Sequence, residues 1–357
     1  MAITKLVADS LGASAVPNQS AFKNIIINGD MRVAQRGTST SGVTTQDGYY
    51  ACDRFKTQTD TGTWTISQST DVPTGQGFIN SLKLDCTSAG TSNADEVGIR
   101  INNEGTFVQH LKYGTSSAES LTLSFWIKTN KTGTYTVAFK NVSSVQERIV
   151  SFEYTVSSAN TWEKKTVTLP GDTSQALENT TNSEFEIYWY FSAAFGSGVT
   201  NTWQNYSAGY LSNGSLPGLG GSTDDEVYLT GVQLEIGSTA SDFEFLPFDV
   251  NLQRCKRYFN AFFTENNMVI FQYQGGFRAL YYPYPVAMRS SPTLSVDTFV
   301  NFSAFNGSLA STTGIYAYEN VSSTDTNSYA VGDCELDAEL LWLEILHQLQ
   351  KCMIWME

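Results

Sequence analysis

Histidines and acids would carry hydrolytic chemistry, and this chain holds few of them in a useful pattern. It has two histidines, His110 and His347. The first lies at a loop or strand end and the second in a helical stretch near the C-terminus. A Ser-His-Asp or Cys-His centre therefore has little to draw on, and a histidine-rich metal site cannot be built. Carboxylates cluster at Asp224, Asp225 and Glu226, where a loop enters a strand, and at Asp95-Glu96 in another loop. A glycosidase needs two acids ~5–10 Å apart across a cleft. Adjacent acids on an extended chain point to opposite sides, so neither cluster makes a facing pair by itself. A solvated face or a weak Ca²⁺ site suits them better. No catalytic residue is assigned and no enzyme activity is expected. The five cysteines, Cys52, Cys86, Cys255, Cys334 and Cys352, are odd in number, widely spaced and without a CxxC. They read as reduced, mostly buried thiols of a protein folded in a cytoplasm.

Aromatic residues are the better candidates for binding. In Leu121–Asn130, Leu121, Leu123, Phe125 and Ile127 point one way, while Thr122, Ser124, Trp126 and Lys128 point the other. In Glu184–Ala193, Phe185, Ile187, Trp189 and Phe191 share a face, which leaves Tyr188 and Tyr190 opposite. If the first sets form the core, Trp126, Tyr188 and Tyr190 lie together on the outer face of one sheet. Such rings suit the C–H faces of a pyranose, but they would equally suit a subunit interface or a second core. The loop Phe195–Asp224 is rich in Gly, Ser and Asn yet holds Trp203, Tyr206 and Tyr210. These rings must pack on the sandwich, on a neighbouring subunit or on a ligand.

The elements that position these residues are strands. Hydrophobic residues make up 41% of the 357, aromatic residues 13% and charged residues only 16%. Thr, Ser, Asn and Gly take the place of charge, which favours strands and turns. Leu121–Thr129 and Thr134–Val142 read as a hairpin turning at Lys131-Thr132-Gly133. Strands follow over Ser151–Ser157, Lys164–Leu169, Glu184–Ala193 and Glu226–Gly237. Gly231 marks a bulge or a close approach in the last of these. Ser241–Asn260 reads as a strand, a Pro-marked turn and one helical turn, and further strands run to about residue 340. The fold class is all-β: a jelly-roll sandwich, then a smaller β domain with a short C-terminal amphipathic helix. The expected divisions are a docking or flexible segment 1–22, a jelly-roll domain 23–250, a small β domain 251–340 and a helical tail 341–357. In the tail, Leu340, Leu343, Leu346, Leu349 and Met353 recur at near-helical spacing.

The net charge of −14 argues against nucleic acid, whose affinity rests on neutralising phosphates, and against an anionic membrane surface. The first residues lack the basic and apolar regions of a secretory signal, and no apolar run reaches the ~20 residues that cross a bilayer.

Several segments together resemble a known family. NIIINGDMRVAQRGTS from Asn24, CDRF from Cys52, SFWIK from Ser124 and LTGVQLEIGSTASDFEFLPFDVNLQRCKRYF from Leu229 are similar to tail-fibre and virion structural proteins of tailed bacteriophages. PYPVAMRSSPTL from Pro283 and the DAEL ending at Leu340 extend the likeness over roughly 24–340; the residues beyond depart from it. The resemblance implies a jelly roll similar to carbohydrate-binding modules, followed by a small β domain. It implies a homotrimer that joins other tail or virion proteins, made in the host cytoplasm and placed in a tail fibre or appendage. Its work would be adhesion to a host-surface polysaccharide. The alternatives are a virion structural or decoration protein without ligand, and a polysaccharide depolymerase. Jelly rolls of this kind often hold structural Ca²⁺ beside the opening and closing strands, and Asp30 matches the opening position. Thr230-Gly231 stands where the closing strand usually has Asp, which weakens that expectation; no other cofactor is implied.

Overall fold

Alternating apolar and polar side chains set the strands. The structure is a computed structural model that describes residues 22–44, 46–90, 96–193, 195–262, 271–273, 277–300, 307–320 and 329–337. The segment before Phe22, Asp95, and the expected tail helix 341–357 with His347 lie outside the described residues. In chain order the first strands are β1 (Ser39–Val43), β2 (Gln46–Tyr49), β3 (Lys56–Thr59), β4 (Thr63–Ser69), β5 (Ser81–Ser88) and β6 (Val97–Glu104). They continue with β7 (Leu121–Thr129), β8 (Gly133–Asn141), β9 (Arg148–Val156), β10 (Glu163–Leu169), β11 (Ser183–Ser192), β12 (Gln204–Asn205) and β13 (Glu226–Ile236). They form two antiparallel sheets, ordered β1-β4-β5-β13-β7-β10 and β12-β9-β8-β11-β6-β3-β2. Their apolar faces meet as the expected jelly-roll sandwich. Leu121, Leu123, Phe125 and Ile127 of β7 and Phe185, Ile187, Trp189 and Phe191 of β11 are all fully buried. Phe125 bridges the sheets, edge-on to Trp189 at 5.7 Å and to Tyr154 at 5.2 Å. Burying each such side chain contributes about 1.5–3 kcal/mol.

The hairpin expected over 121–142 does not form. β7 pairs with β10 and β13, whereas β8 pairs with β9 and β11 in the other sheet. Two successive strands with matching apolar faces can lie side by side or face each other across a core, and alternation does not distinguish these. Here Asn130–Thr132 arches between the sheets. Tyr135 donates its hydroxyl to the Lys131 carbonyl at 2.7 Å, and the Lys131 ammonium lies 2.9 Å from Asp225 Oδ1. Asp225 also accepts the amides of Gly220 at 2.8 Å and Ser222 at 3.1 Å. Asp225 is therefore a buried anchor of the arch, not part of a solvated acidic face.

The opening segment Asn24–Arg36 forms no strand and is mostly buried. Its polar groups are satisfied by side-chain amides. Asn24 accepts the amides of Ile26 at 2.9 Å and Leu234 at 3.1 Å, and donates to the Val232 carbonyl at 3.0 Å. Asn28 accepts Val33 N and donates to the Val33 and Asp53 carbonyls, each at 2.9 Å. The Val232 amide donates to the Gly29 carbonyl at 2.9 Å. A Cβ at Gly29 would fall on the Val232 carbonyl oxygen. Asp53, buried, accepts both the backbone and the side chain of Gln35, at 2.9 and 2.6 Å. Arg54 donates to the Asn102 carbonyl and lies over the Tyr258 ring. CDRF is thus framework.

Two short helices are described: α1 (Gly105–Val108), after β6, and α2 (Phe248–Lys256), which joins the sandwich to a second set of strands. Ser241–Pro247 before α2 is an irregular strap, not the expected strand. Its backbone donates to side chains instead of a ladder: Ser241 N to Glu235 and Glu244 N to Gln233, both at 2.8 Å. After α2 come β14 (Phe259–Phe262), β15 (Phe271–Tyr273), β16 (Phe277–Pro283), β17 (Thr293–Val300), β18 (Gly307–Ala310), β19 (Gly314–Asn320) and β20 (Tyr329–Asp337). These make separate antiparallel sheets, β14-β20-β17 and β15-β16-β19-β18. The RCKRYF residues grip the sandwich. Arg257 makes a bidentate pair with the buried Glu104, at 2.9 and 2.7 Å. Tyr258 lies under Arg54 and Phe259 under Arg36, with guanidinium carbons 3.4 and 3.6 Å from the ring centres.

Gly29→Ala should destabilise the protein by about 3–5 kcal/mol, adding overpacking to the loss of the two hydrogen bonds at Val232. The urea midpoint measures this, and a change under about 1 kcal/mol would show that the opening segment does not hold the sandwich.

Candidate functional site

Trp126, Tyr188 and Tyr190 do not form one platform. Trp126 is on β7 of the first sheet; both tyrosines are on β11 of the second. All three point away from the core, on opposite outer faces of the sandwich. Side-chain alternation fixes in or out, but not which sheet a strand joins. The tyrosine rings stack at 5.8 Å and are covered by the chain's own loop, through Phe195, Tyr206, Tyr210, Leu211 and Leu216. Burial pushes both phenols well above their ordinary range. Tyr188 donates to Glu186, which also accepts Ser183 Oγ at 2.9 Å. Tyr206 lies under the Lys140 ammonium at 4.0 Å, its phenol pushed up to about 12 by burial. Trp203 joins the main core, edge-on to Tyr113 at 5.8 Å, and donates Nε1 to the Pro170 carbonyl at 2.7 Å. Trp203, Tyr206, Tyr210, Tyr188 and Tyr190 thus serve packing, and Trp126 alone of these candidates lines an open groove.

The groove holds about 250 Å³ and is lined by Gly75, Gln76, Phe78, Ser124, Trp126, Lys164, Gly231, Asp242, Phe243 and Phe245. Three elements build it. The floor is β7, with Trp126 opposite Lys164 of β10 on one side and Thr230 of β13 on the other. One wall is the β4–β5 loop, which brings Gln76 and Phe78. The other is the strap, which brings Asp242, Phe243 and Phe245. The walls meet in an aromatic trio, Phe78–Phe243 at 5.1 Å, Phe78–Phe245 at 5.2 Å and Phe243–Phe245 at 4.9 Å. Gly231 makes both the bulge and the close approach expected of it. The β13 register shifts between Thr230 and Gln233, and Gly231 has φ +61°. A Cβ there would come within 2.6 Å of Phe78 and 3.0 Å of Trp126. Phe78, Phe243, Phe245, Gln76, Lys164 and Asp242 were not singled out from the sequence. The signals that could have found them are the paired glycines of Gly75–Gly77 and the Phe-x-Phe of the strap.

Beside the groove the same face carries a second row: Trp162, Lys128, Tyr228 and Lys83. Lys128 pairs with Asp71, and Trp162 donates Nε1 to Asp71 at 2.9 Å. Burial works against the Asp71 charge, but these hydrogen bonds prevail and hold its carboxyl below the ordinary aspartate value. Lys83 lies 3.0 Å from Glu226 and 3.2 Å from Asp85. Burial opposes its charge too, but hydrogen bonding to Tyr228, Glu226 and Asp85 holds its ammonium above the usual lysine range. The Lys128 ammonium sits 4.0 Å from the Tyr228 ring centre. Asp71 and the Asn80 carbonyl, which accepts Thr230 Oγ1 at 2.8 Å, pin the two ends of the groove-lining loop.

Elsewhere the acids are occupied or alone. Asp30 is buried and accepts Asn251 Nδ2 at 3.1 Å; burial raises its pKa. Burial, with Asp60 and Asp47 behind it, pushes Glu96 up to about 7. Burial lowers the His110 imidazole. Among the described residues no three His, Cys, Asp or Glu side chains converge as a metal site. Asp30 ties the opening segment to α2 through its hydrogen bond from Asn251. The groove can stack a flat ring on Trp126 and offer it polar partners, and its walls hold no pair of opposed carboxylates.

No protein-family model matches the chain, and no curated protein sequence does. Solved structures with similar arrangements include the enzymatically active domain of tailspike protein 4 from bacteriophage CBA120. That match has 12% identity and a TM-score of 0.33, and covers 61% of this chain and 22% of the tailspike. A putative sugar-binding protein from Bacteroides thetaiotaomicron matches at 11% identity and a TM-score of 0.31, over 60% of this chain and 100% of that one. The second family-22 xylan-binding domain of Paenibacillus barcinonensis Xyn10C matches at 12% and 0.30, over 61% of this chain and 100% of that one.

Proposed function

We propose that this chain is a non-catalytic, glycan-binding structural protein of a phage tail fibre or appendage, and that it binds through the Trp126 groove. The groove carries the reading. A half-buried indole on the floor, an aromatic wall and the polar groups of Gln76, Ser124, Lys164 and Asp242 suit a sugar with one apolar face and a hydroxylated edge. Binding rather than hydrolysis is supported by the acids of that face, because Asp71, Asp85 and Glu226 are spent on lysines and Asp242 is the single carboxylate among the described lining residues. The virion setting rests on the motif resemblance, which also implies a homotrimer. Three weak sites on one particle would gain affinity by linkage. A purely structural role is the second reading. It is favoured by the exposed Ile79, Phe245, Phe248 and Phe22, which would suit contact with another virion protein.

Trp126→Ala should abolish binding to immobilised host-surface polysaccharide, losing about 1–3 kcal/mol per site, the scale of an aromatic stacking contact. The protein should keep its native mass and unfolding midpoint. Loss of assembly with unchanged glycan binding would favour the structural reading. Native mass spectrometry of the wild type should show three copies, and a monomer would remove the fibre setting.

The pH dependence follows from Asp71. Its folded pKa is depressed, so its anchoring contribution is complete above the unfolded value and is lost as pH falls through the folded one. Glycan affinity should be level from neutral pH to about 4 and decline below. Asp71→Asn should bind more weakly at all pH values and show less of that decline. An identical acid limb in the variant would place the titrating group elsewhere.

A further inference from the structure

The charges around the groove point to the kind of glycan it takes. On the outer face of the first sheet, Lys83 is held by Asp85 and Glu226, and Lys128 by Asp71. Behind the strap, Lys23 donates to Ser241 Oγ at 2.6 Å and the Asp242 carbonyl at 2.7 Å. Glu244 accepts the amides of Lys23 and Asn24, and Glu235 accepts Gln233 and Ser241. Two charged side chains that line the groove are left over. Among the described residues, neither the Lys164 ammonium nor the Asp242 carboxylate has an ion-pair or hydrogen-bond partner. They stand on opposite sides of Trp126. Lys164 is its direct neighbour on β10. Asp242 is carried past β13, the neighbour on the other side, where Gln233 donates to its carbonyl at 3.3 Å.

One uncommitted donor and one uncommitted acceptor, equal and opposite in charge, flank the stacking ring. Together they carry no net charge to attract a charged ligand over a distance, and the chain as a whole carries −14, which repels polyanions. Each can still make a charge-assisted hydrogen bond, Lys164 to a hydroxyl oxygen and Asp242 from a hydroxyl hydrogen. We infer that the groove selects an uncharged glycan, with Lys164 and Asp242 holding hydroxyls on the two edges of a sugar stacked on Trp126. This deepens the glycan reading and rests on it.

The test uses the full-length protein on an array of immobilised uncharged, carboxylated and sulfated polysaccharides, with Trp126→Ala as the control. Trp126-dependent binding should be confined to uncharged members and stay level between about 0.1 M and about 1 M salt, because no long-range attraction contributes. Asp242→Asn leaves Lys164 unopposed, so it should shift relative affinity toward carboxylated members by about fivefold, the worth of one unit charge near contact in water. Lys164→Gln should shift it the other way. Trp126-dependent binding led by acidic members, weakening as salt rises, overturns this inference and leaves the glycan reading standing. An unchanged preference in both charge variants also overturns it. No Trp126-dependent binding to any member removes the glycan reading, and this inference with it.

Discussion

The sandwich depends on a buried polar knot between the start of the described chain and the closing strand β13. A segment that is buried but forms neither helix nor strand must find partners for every amide and carbonyl, because unpaired groups cost about 1–3 kcal/mol each. Asn24–Val33 finds them in the side chains of Asn24 and Asn28, whose donors and acceptors are used together. Asn251 of α2 closes the knot, accepting Asn28 N at 3.1 Å and donating to Asp30. Residues more than 200 positions apart are thereby fixed to one another. An aspartate in place of either opening asparagine would keep the shape and lose the donors. That asymmetry explains why the sequence reads Asn at both positions.

The same bulge in β13 serves the knot and the groove. On its backbone side, Val232 N donates to the Gly29 carbonyl, and the Val232 carbonyl accepts Asn24. On its outer side, the missing side chain of Gly231 makes room for the Phe78 ring beside Trp126. Two residues further on, Gln233 turns outward and holds the strap that forms the far wall. A regular β13 would give up both the socket for the opening segment and the hollow in which the aromatic trio sits. The groove is thus a consequence of how the sandwich is closed.

The sequence makes the inward and outward faces legible, because period-two alternation is enforced by burial at each position. Leu121, Leu123, Phe125 and Ile127, with Phe185, Ile187, Trp189 and Phe191, all enter the main core, while the intervening Tyr188 and Tyr190 join a separate cluster on the other side of their sheet. It does not reveal sheet membership, which is set by long-range pairing. Alternation alone therefore reads β7–β8 as a hairpin when it is an arch, and groups Trp126 with tyrosines of the other sheet. The irregular segments are the least legible. The strap contains alternating Phe243 and Phe245 and so mimics a strand, yet its hydrogen bonds go to Gln233 and Glu235, partners that no local pattern announces. Gly231 is the exception, since a glycine inside a strand pattern has few reasons to be there apart from a bulge or a close contact.

Framework and groove also separate in the chain, and this bears on what the resemblance can carry. Asn24 to Asp30, Asp53-Arg54 and Arg254 to Phe259 are spent on the knot and on the clamp to the second module, where Arg257 meets Glu104 and Arg54 meets Tyr258. A change at Asn24, Asn28, Asp53, Arg54 or Arg257 leaves a buried polar group or charge without its partner. The groove draws its loop wall from Gly75 to Phe78, where a Cβ on Gly75 would meet nothing within 4 Å, and its charged edge from exposed Lys164 and Asp242. Substitutions at Lys164 and Asp242 disturb little of the core, whereas Gly75 and Gly77 hold positive φ that a side chain would strain. Likeness in the framework residues therefore speaks for architecture and is silent on the side chains that line the groove.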